Sequence, residues 1–209
     1  MPQVLNSNAK KINYDEVLKA CSLQLKTVKN PNIADNEKCL EILKKYFIQT
    51  NPLLNINESL KDLQNKDTGW TPLLCCCYME FTEGVYFLLD QGANPNIVSK
   101  DGKSPLSISS IKNKISIVNK LIKKGAKVNY IDFQGKTALM EACEKGNPDT
   151  VKLLLESDAD VKIKSKNNKS CIDFAMEAGN YNIVKHVEHH YFDSILDKKD
   201  SQERQKTKI

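Results

Sequence analysis

Apolar residues fall in short blocks, spaced by three and four, along the middle of the chain. Val85, Leu88 and Leu89 form one block. Val118, Leu121 and Ile122 form a second, and Val151, Leu154 and Leu155 a third. Positions three and four apart share one face of a helix, so each block predicts a helix with one buried stripe. A shorter stretch precedes each block and places small residues side by side: Cys76-Cys77, Ser109-Ser110 and Ala142-Cys143. Ala175-Met176 holds the same place in a fourth stretch. Small side chains let neighbouring helices approach closely. Thr71 and Ser104 are N-cap candidates, and Pro72 and Pro105 suit the first helical position, where a missing N–H costs nothing. Gly146 and Gly179 supply the left-handed residue that ends a first helix, and Gly92 and Gly125 stop a second. The pattern predicts successive helix pairs joined by turns.

The pairs keep one register. Gly69-Trp70-Thr71-Pro72-Leu73, Gly102-Lys103-Ser104-Pro105-Leu106, Gly135-Lys136-Thr137-Ala138-Leu139 and Asn168-Lys169-Ser170-Cys171-Ile172 each begin 33 residues after the last. Gly92-Ala93, Gly125-Ala126 and Asp158-Ala159 keep the same interval, as do Phe87-Leu88-Leu89, Lys120-Leu121-Ile122 and Leu153-Leu154-Leu155. No unit can bury its own apolar face, so adjacent units must stack.

The first 64 residues do not hold this register. They contain two amphipathic stretches. Tyr14–Val28 carries Val17, Leu18, Cys21, Leu25 and Val28 on one side, and Asp35–Ile48 carries Cys39, Leu40, Ile42, Leu43, Tyr46 and Phe47. Asn36 lies 33 residues before Gly69, which reads as a diverged first unit that caps the stack. The expected organisation is an N-terminal helical cap and connection over 1–64 and repeats over 65–190, divided 65–97, 98–130, 131–163 and 164–190. A polar tail over 191–209 completes it.

These motifs resemble the ankyrin repeat family. The third unit matches best, through Asp132-Phe133-Gln134-Gly135-Lys136-Thr137-Ala138-Leu139, Ala142-Cys143, Gly146-Asn147 and Val151-Lys152-Leu153-Leu154-Leu155. The resemblance implies an all-α fold, a solenoid of helix pairs with a diverged N-terminal helical cap. The family histidine after Thr-Pro-Leu is replaced by Leu74, Ser107, Met140 and Asp173. In the family it links adjacent loops, so its loss implies a weaker stack, by around 1 kcal/mol per lost bond. Asn113, Asp158 and Asn168 stand where the family has glycine.

Composition narrows the function. Apolar residues make up 40% of the 209 and charged residues 27%, the ordinary balance of a soluble domain. No apolar run approaches the roughly 18 residues of a membrane span, and Met1–Asn6 does not read as a secretory signal. The expected location is the cytoplasm, with the nucleus also open. The seven cysteines, three of them consecutive, suit a reduced core better than a disulfide framework. Cys75 is expected on the exposed inner side of its helix, where a redox role is conceivable. The net charge of +5 rests on lysine, since Arg204 is the single arginine.

The resemblance implies a concave groove for partners, made of loop tips and the outward side of each first helix. Trp70, Tyr78, Met79, Ile108, Ile111, Phe133, Glu141 and Lys145 fall at those positions. Phe174 falls there in the fourth unit. Aromatic residues and Met are enriched at interface hot spots. The resulting expectation is a non-catalytic protein-binding module: an adaptor, inhibitor or assembly factor, monomeric, without cofactor and with a protein as partner.

Chemistry offers little against this. No glycine-rich phosphate loop and no nucleophile elbow is present. The only histidines, His186, His189 and His190, share a helix face and define an alternative metal-protein reading. Near a helix C-terminus they are also favourable with its dipole. The other alternative is a lysine-mediated binder of nucleic acid or an anionic surface. Specific base reading relies on arginine, so any RNA or DNA binding should be weak. A filter-binding titration should show it lost between about 50 and about 200 mM salt.

Overall fold

Thr71, Ser104, Thr137 and Ser170 sit in extended backbone, and each hydroxyl accepts from the backbone N–H three residues on. Each therefore starts a helix at the place the register assigns. The computed structural model describes residues 69–192. The chain divides into two units, 1–94 and 95–209. In the described part of the first, α1 (Pro72–Tyr78) pairs with α2 (Thr82–Asp90). The second holds α3 (Pro105–Ile111), α4 (Ile115–Lys123), α5 (Ala138–Lys145), α6 (Pro148–Glu156), α7 (Cys171–Glu177) and α8 over 181–192. The described residues contain no strand. No described helix is long and apolar enough to cross a membrane.

Within the second unit the helices form two rows. α3 packs on α5 and α5 on α7, while α4 packs on α6. Val118, Leu121, Val151, Leu154 and Leu155 are buried, as the stripe predicts. In the inner row Ser109, Ser110, Ala142, Cys143 and Ala175 are fully buried. Ser109 and Ser110 donate their hydroxyls to the carbonyls of Pro105 and Leu106 at 2.8 Å, so no buried oxygen is stranded. The Cys171 thiol of the last described repeat donates to the Val161 carbonyl at 3.9 Å. Met176 breaks the column: it is 50% exposed, because no further described helix pair follows the fourth.

Three backbone positions are left-handed in each of the first three described repeats and two in the fourth, and sequence departures respect them. Gly69, Gly102, Gly135 and Asn168 have φ of 69°, 80°, 79° and 58°. Gly92, Gly125 and Asp158 have 90°, 86° and 62°. Glu80, Asn113, Gly146 and Gly179 have 61°, 55°, 69° and 72°. Asn and Asp tolerate this region better than other side chains, so Asn113, Asp158 and Asn168 keep the geometry while replacing glycine. Glu80 has no such excuse and carries local strain.

The missing histidines do not leave their positions idle. Ser107 and Asp173 close capping boxes on Ser104 and Ser170, while Leu74 and Met140 are buried. The Asp173 carboxyl is held below the usual aspartate range, first by the Ser170 backbone N–H and then by its hydroxyl. Asparagines tie the loops. Asn96 donates to the Gly125 carbonyl and accepts from the Lys127 N–H, at 2.9 and 2.8 Å. Asn129 repeats this on Asp158 and Asp160 at 3.0 and 2.8 Å. Asn147 donates to the Ser110 carbonyl at 2.7 Å, and Asn180 to that of Cys143 at 3.2 Å.

Urea unfolding should rank these contributions. Leu154→Ala should cost ~2–5 kcal/mol through the cavity it opens. Asn147→Ala, which removes a buried tie, should cost about 1–2 kcal/mol. Lys145→Ala, on the exposed surface, should stay within about 0.5 kcal/mol of wild type.

Candidate partner-binding face

Three of the four repeats bring the first loop against the last turn of their own first helix, eight residues on. In the first unit the pair is aromatic: Trp70 meets Tyr78 edge to face, with ring centroids 5.3 Å apart at 85°. Tyr78 is 43% exposed, and Trp70 and Met79 are half-buried. In the second unit the same register carries charge. Lys136 bonds Glu144, and Lys169 bonds Glu177 at 2.6 Å. Eight residues after Lys103 stands Ile111, which cannot accept a hydrogen bond, and the lysine turns to the next repeat. Its ammonium lies 2.7 Å from Asp132 and also bonds Glu141.

This arrangement corrects two expected groove positions. Ile108 and Glu141 are only 5% and 4% exposed. They share one register column with Cys75 and Phe174, and the whole column is buried. Glu141 lies beneath the Lys103 ammonium. Phe174 lies beneath Lys136, whose Nζ is 4.5 Å from the ring centroid. Long loop lysines fold over the helix instead of pointing outward. Cys75, expected exposed, is 9% accessible, and all five described cysteines are buried. Ile111 is half-buried and Lys145 exposed. Phe133, at a loop tip, is 59% exposed.

Sequence alone places these lysines and acids on the same face but does not pair Lys103, Lys136 and Lys169 with their carboxylates. The signal was present: lysines 33 apart, two of them followed eight residues later by glutamate. His186, His189 and His190 line one surface depression with Lys152, Leu155 and Glu156. Among the described residues no group of three or more His, Cys, Asp or Glu is placed to hold a metal ion.

Burial alone would lower the Lys103 pKa. Its hydrogen bonds to Asp132 and Glu141 and their charges outweigh that and raise it above the ordinary lysine value. A raised pKa stabilises the fold fully below the unfolded value, near pH 10.4, and the contribution is lost as pH rises through the folded one. Lys103→Met leaves two buried carboxylates without their cation. It should cost about 2 kcal/mol, below the 3–5 of a fully buried pair, since the lysine is partly exposed. Urea titrations should find this difference flat from about pH 7 to 10 and shrinking above about pH 10.4.

A comparison with curated proteins gave no match. A family model described as ankyrin repeats (three copies) matches residues 32–132 and 130–194. The matched span takes in every described helix and reaches back before residue 65, into the segment assigned above to the cap. The 33-residue register, the paired helices and this match agree, and the chain belongs to the ankyrin repeat family.

Proposed function

We propose that this chain is a non-catalytic protein-binding module that engages a partner through the loop tips and the inner helix row. Ankyrin repeats are in general protein–protein interaction modules, and the finer role is adaptor, inhibitor or assembly factor. The observation that carries the reading is Phe133. A phenylalanine 59% exposed at a loop tip is a surface the stack does not need. In the first unit the Trp70–Tyr78 pair supports it independently, as an aromatic pair with one member exposed. Met79 follows Tyr78, and Ile111 and Lys145 end the first helices of their own repeats, whereas buried Ile108 and Glu141 act from beneath, as supports for the surface.

The lysines of the inner face do not favour a nucleic-acid partner. Lys103, Lys136 and Lys169 are already engaged by carboxylates of the same unit. Trp70→Ala and Phe133→Ala should each weaken binding of the partner captured from source cells by more than about 1 kcal/mol, with helicity unchanged. Wild-type binding by both variants would move the interface elsewhere.

A further inference from the structure

The loops over 99–103, 132–136 and 165–169 are the same turn three times. Ser99, Asp132 and Ser165 donate their N–H to the carbonyls of Lys103, Lys136 and Lys169 at 3.1, 2.9 and 2.9 Å. Gly102, Gly135 and Asn168 close each turn back onto its first residue at 2.9 Å. Lys100, Phe133 and Lys166 therefore occupy one equivalent tip position, and all three are exposed.

Adjacent loops touch, so the three tips form a row. A Cβ on Gly102 would lie 2.9 Å from the Phe133 ring. A Cβ on Gly135 would lie 2.4 Å from the Lys166 nitrogen, which itself donates to the Gln134 carbonyl at 3.1 Å. The row reads cation, aromatic, cation. Two acids border the row, and both are engaged: the Asp101 carboxylate takes the Ser99 hydroxyl, and buried Asp132 holds the Lys103 ammonium.

Packed helices lie about 8–10 Å apart. A polyproline II segment advances about 3.1 Å per residue and turns once every three residues, so every third side chain faces the same way. One repeat thus spans about three residues of such a segment laid along the row. We infer that the row of Lys100, Phe133 and Lys166 takes an acidic segment of a partner protein in the polyproline II conformation, with carboxylates about six residues apart and an apolar side chain midway. The two carboxylates meet the two ammonium groups, and the apolar side chain covers the exposed ring. The lysines beneath cannot compete, because carboxylates of the same unit hold them. The inference rests on the protein-binding reading of this face and adds the chemistry of the partner.

The test is an NMR and fluorescence titration of the full chain at about 50 mM salt. The probe is a nine-residue Ser/Thr peptide with two glutamates six positions apart and a leucine midway. A shuffled version and a version with lysine for glutamate serve as controls. The acidic peptide should bind at least about tenfold more tightly than either control and shift amides in the three loops. Lys100→Glu with Lys166→Glu should lower its affinity by about tenfold and raise that of the lysine peptide. Both positions are exposed, and circular dichroism checks that the fold is kept. Phe133→Ala should weaken the acidic peptide severalfold while keeping the charge preference. Equal binding of the shuffled peptide, or an unchanged double charge variant, overturns the inference. If either happens while Phe133→Ala still abolishes capture of the cellular partner, the acidic-segment inference fails and the binding face stands. If Trp70→Ala and Phe133→Ala both capture the partner like wild type, the binding face fails and the inference with it.

Discussion

Each described repeat that another follows must turn left-handed at three fixed points, or its apolar stripe cannot meet that of the next. Backbone sterics make this an expensive demand on most side chains. The chain meets it with glycine at seven of the described positions and with Asn113, Asp158, Asn168 and Glu80 at four more. The turns set the height of every loop and the start of every helix. From them follow the stacking of α3, α5 and α7 and the alignment of the loop tips.

Polar ties then fix neighbouring repeats to one another. Asn96 and Asn129 join the outer loops, and Asn147 and Asn180 reach back to carbonyls at the end of the preceding inner helix. Lys103 joins the inner face of one repeat to two carboxylates of the next. These bonds occupy the work that the family gives to a histidine. They also neutralise the inner lysines, which leaves the tip residues, rather than the helix flanks, to meet a partner.

The helix pairs were legible because they depend on local physics: an N-cap hydroxyl, a stripe at helical spacing, a left-handed stop. Thr137, Leu154 and Gly146 announce themselves without knowledge of any neighbour. The binding face was legible only in part. Phe133 and Tyr78 are exposed at positions assigned to the groove. Ile108 and Glu141 were misplaced because their burial is non-local. For Glu141 the covering group is the Lys103 ammonium, 38 residues away in sequence. The asparagine ties were passed over for a similar reason, since a loop asparagine looks solvated until its neighbour's carbonyl is in view. The amphipathic stretches of the first 64 residues, and the tail beyond 192, lie outside the described residues.

Photo-crosslinking reports directly whether a partner protein meets the tips and inner row rather than the outer helices. A benzophenone amino acid would replace Phe133 in one variant and, as the outer-face comparison, exposed Lys152 on α6 in another. The account predicts that, in source-cell extract, the probe at Phe133 yields one dominant protein adduct and the probe at Lys152 does not. A dominant adduct at Lys152 with none at Phe133 would contradict it.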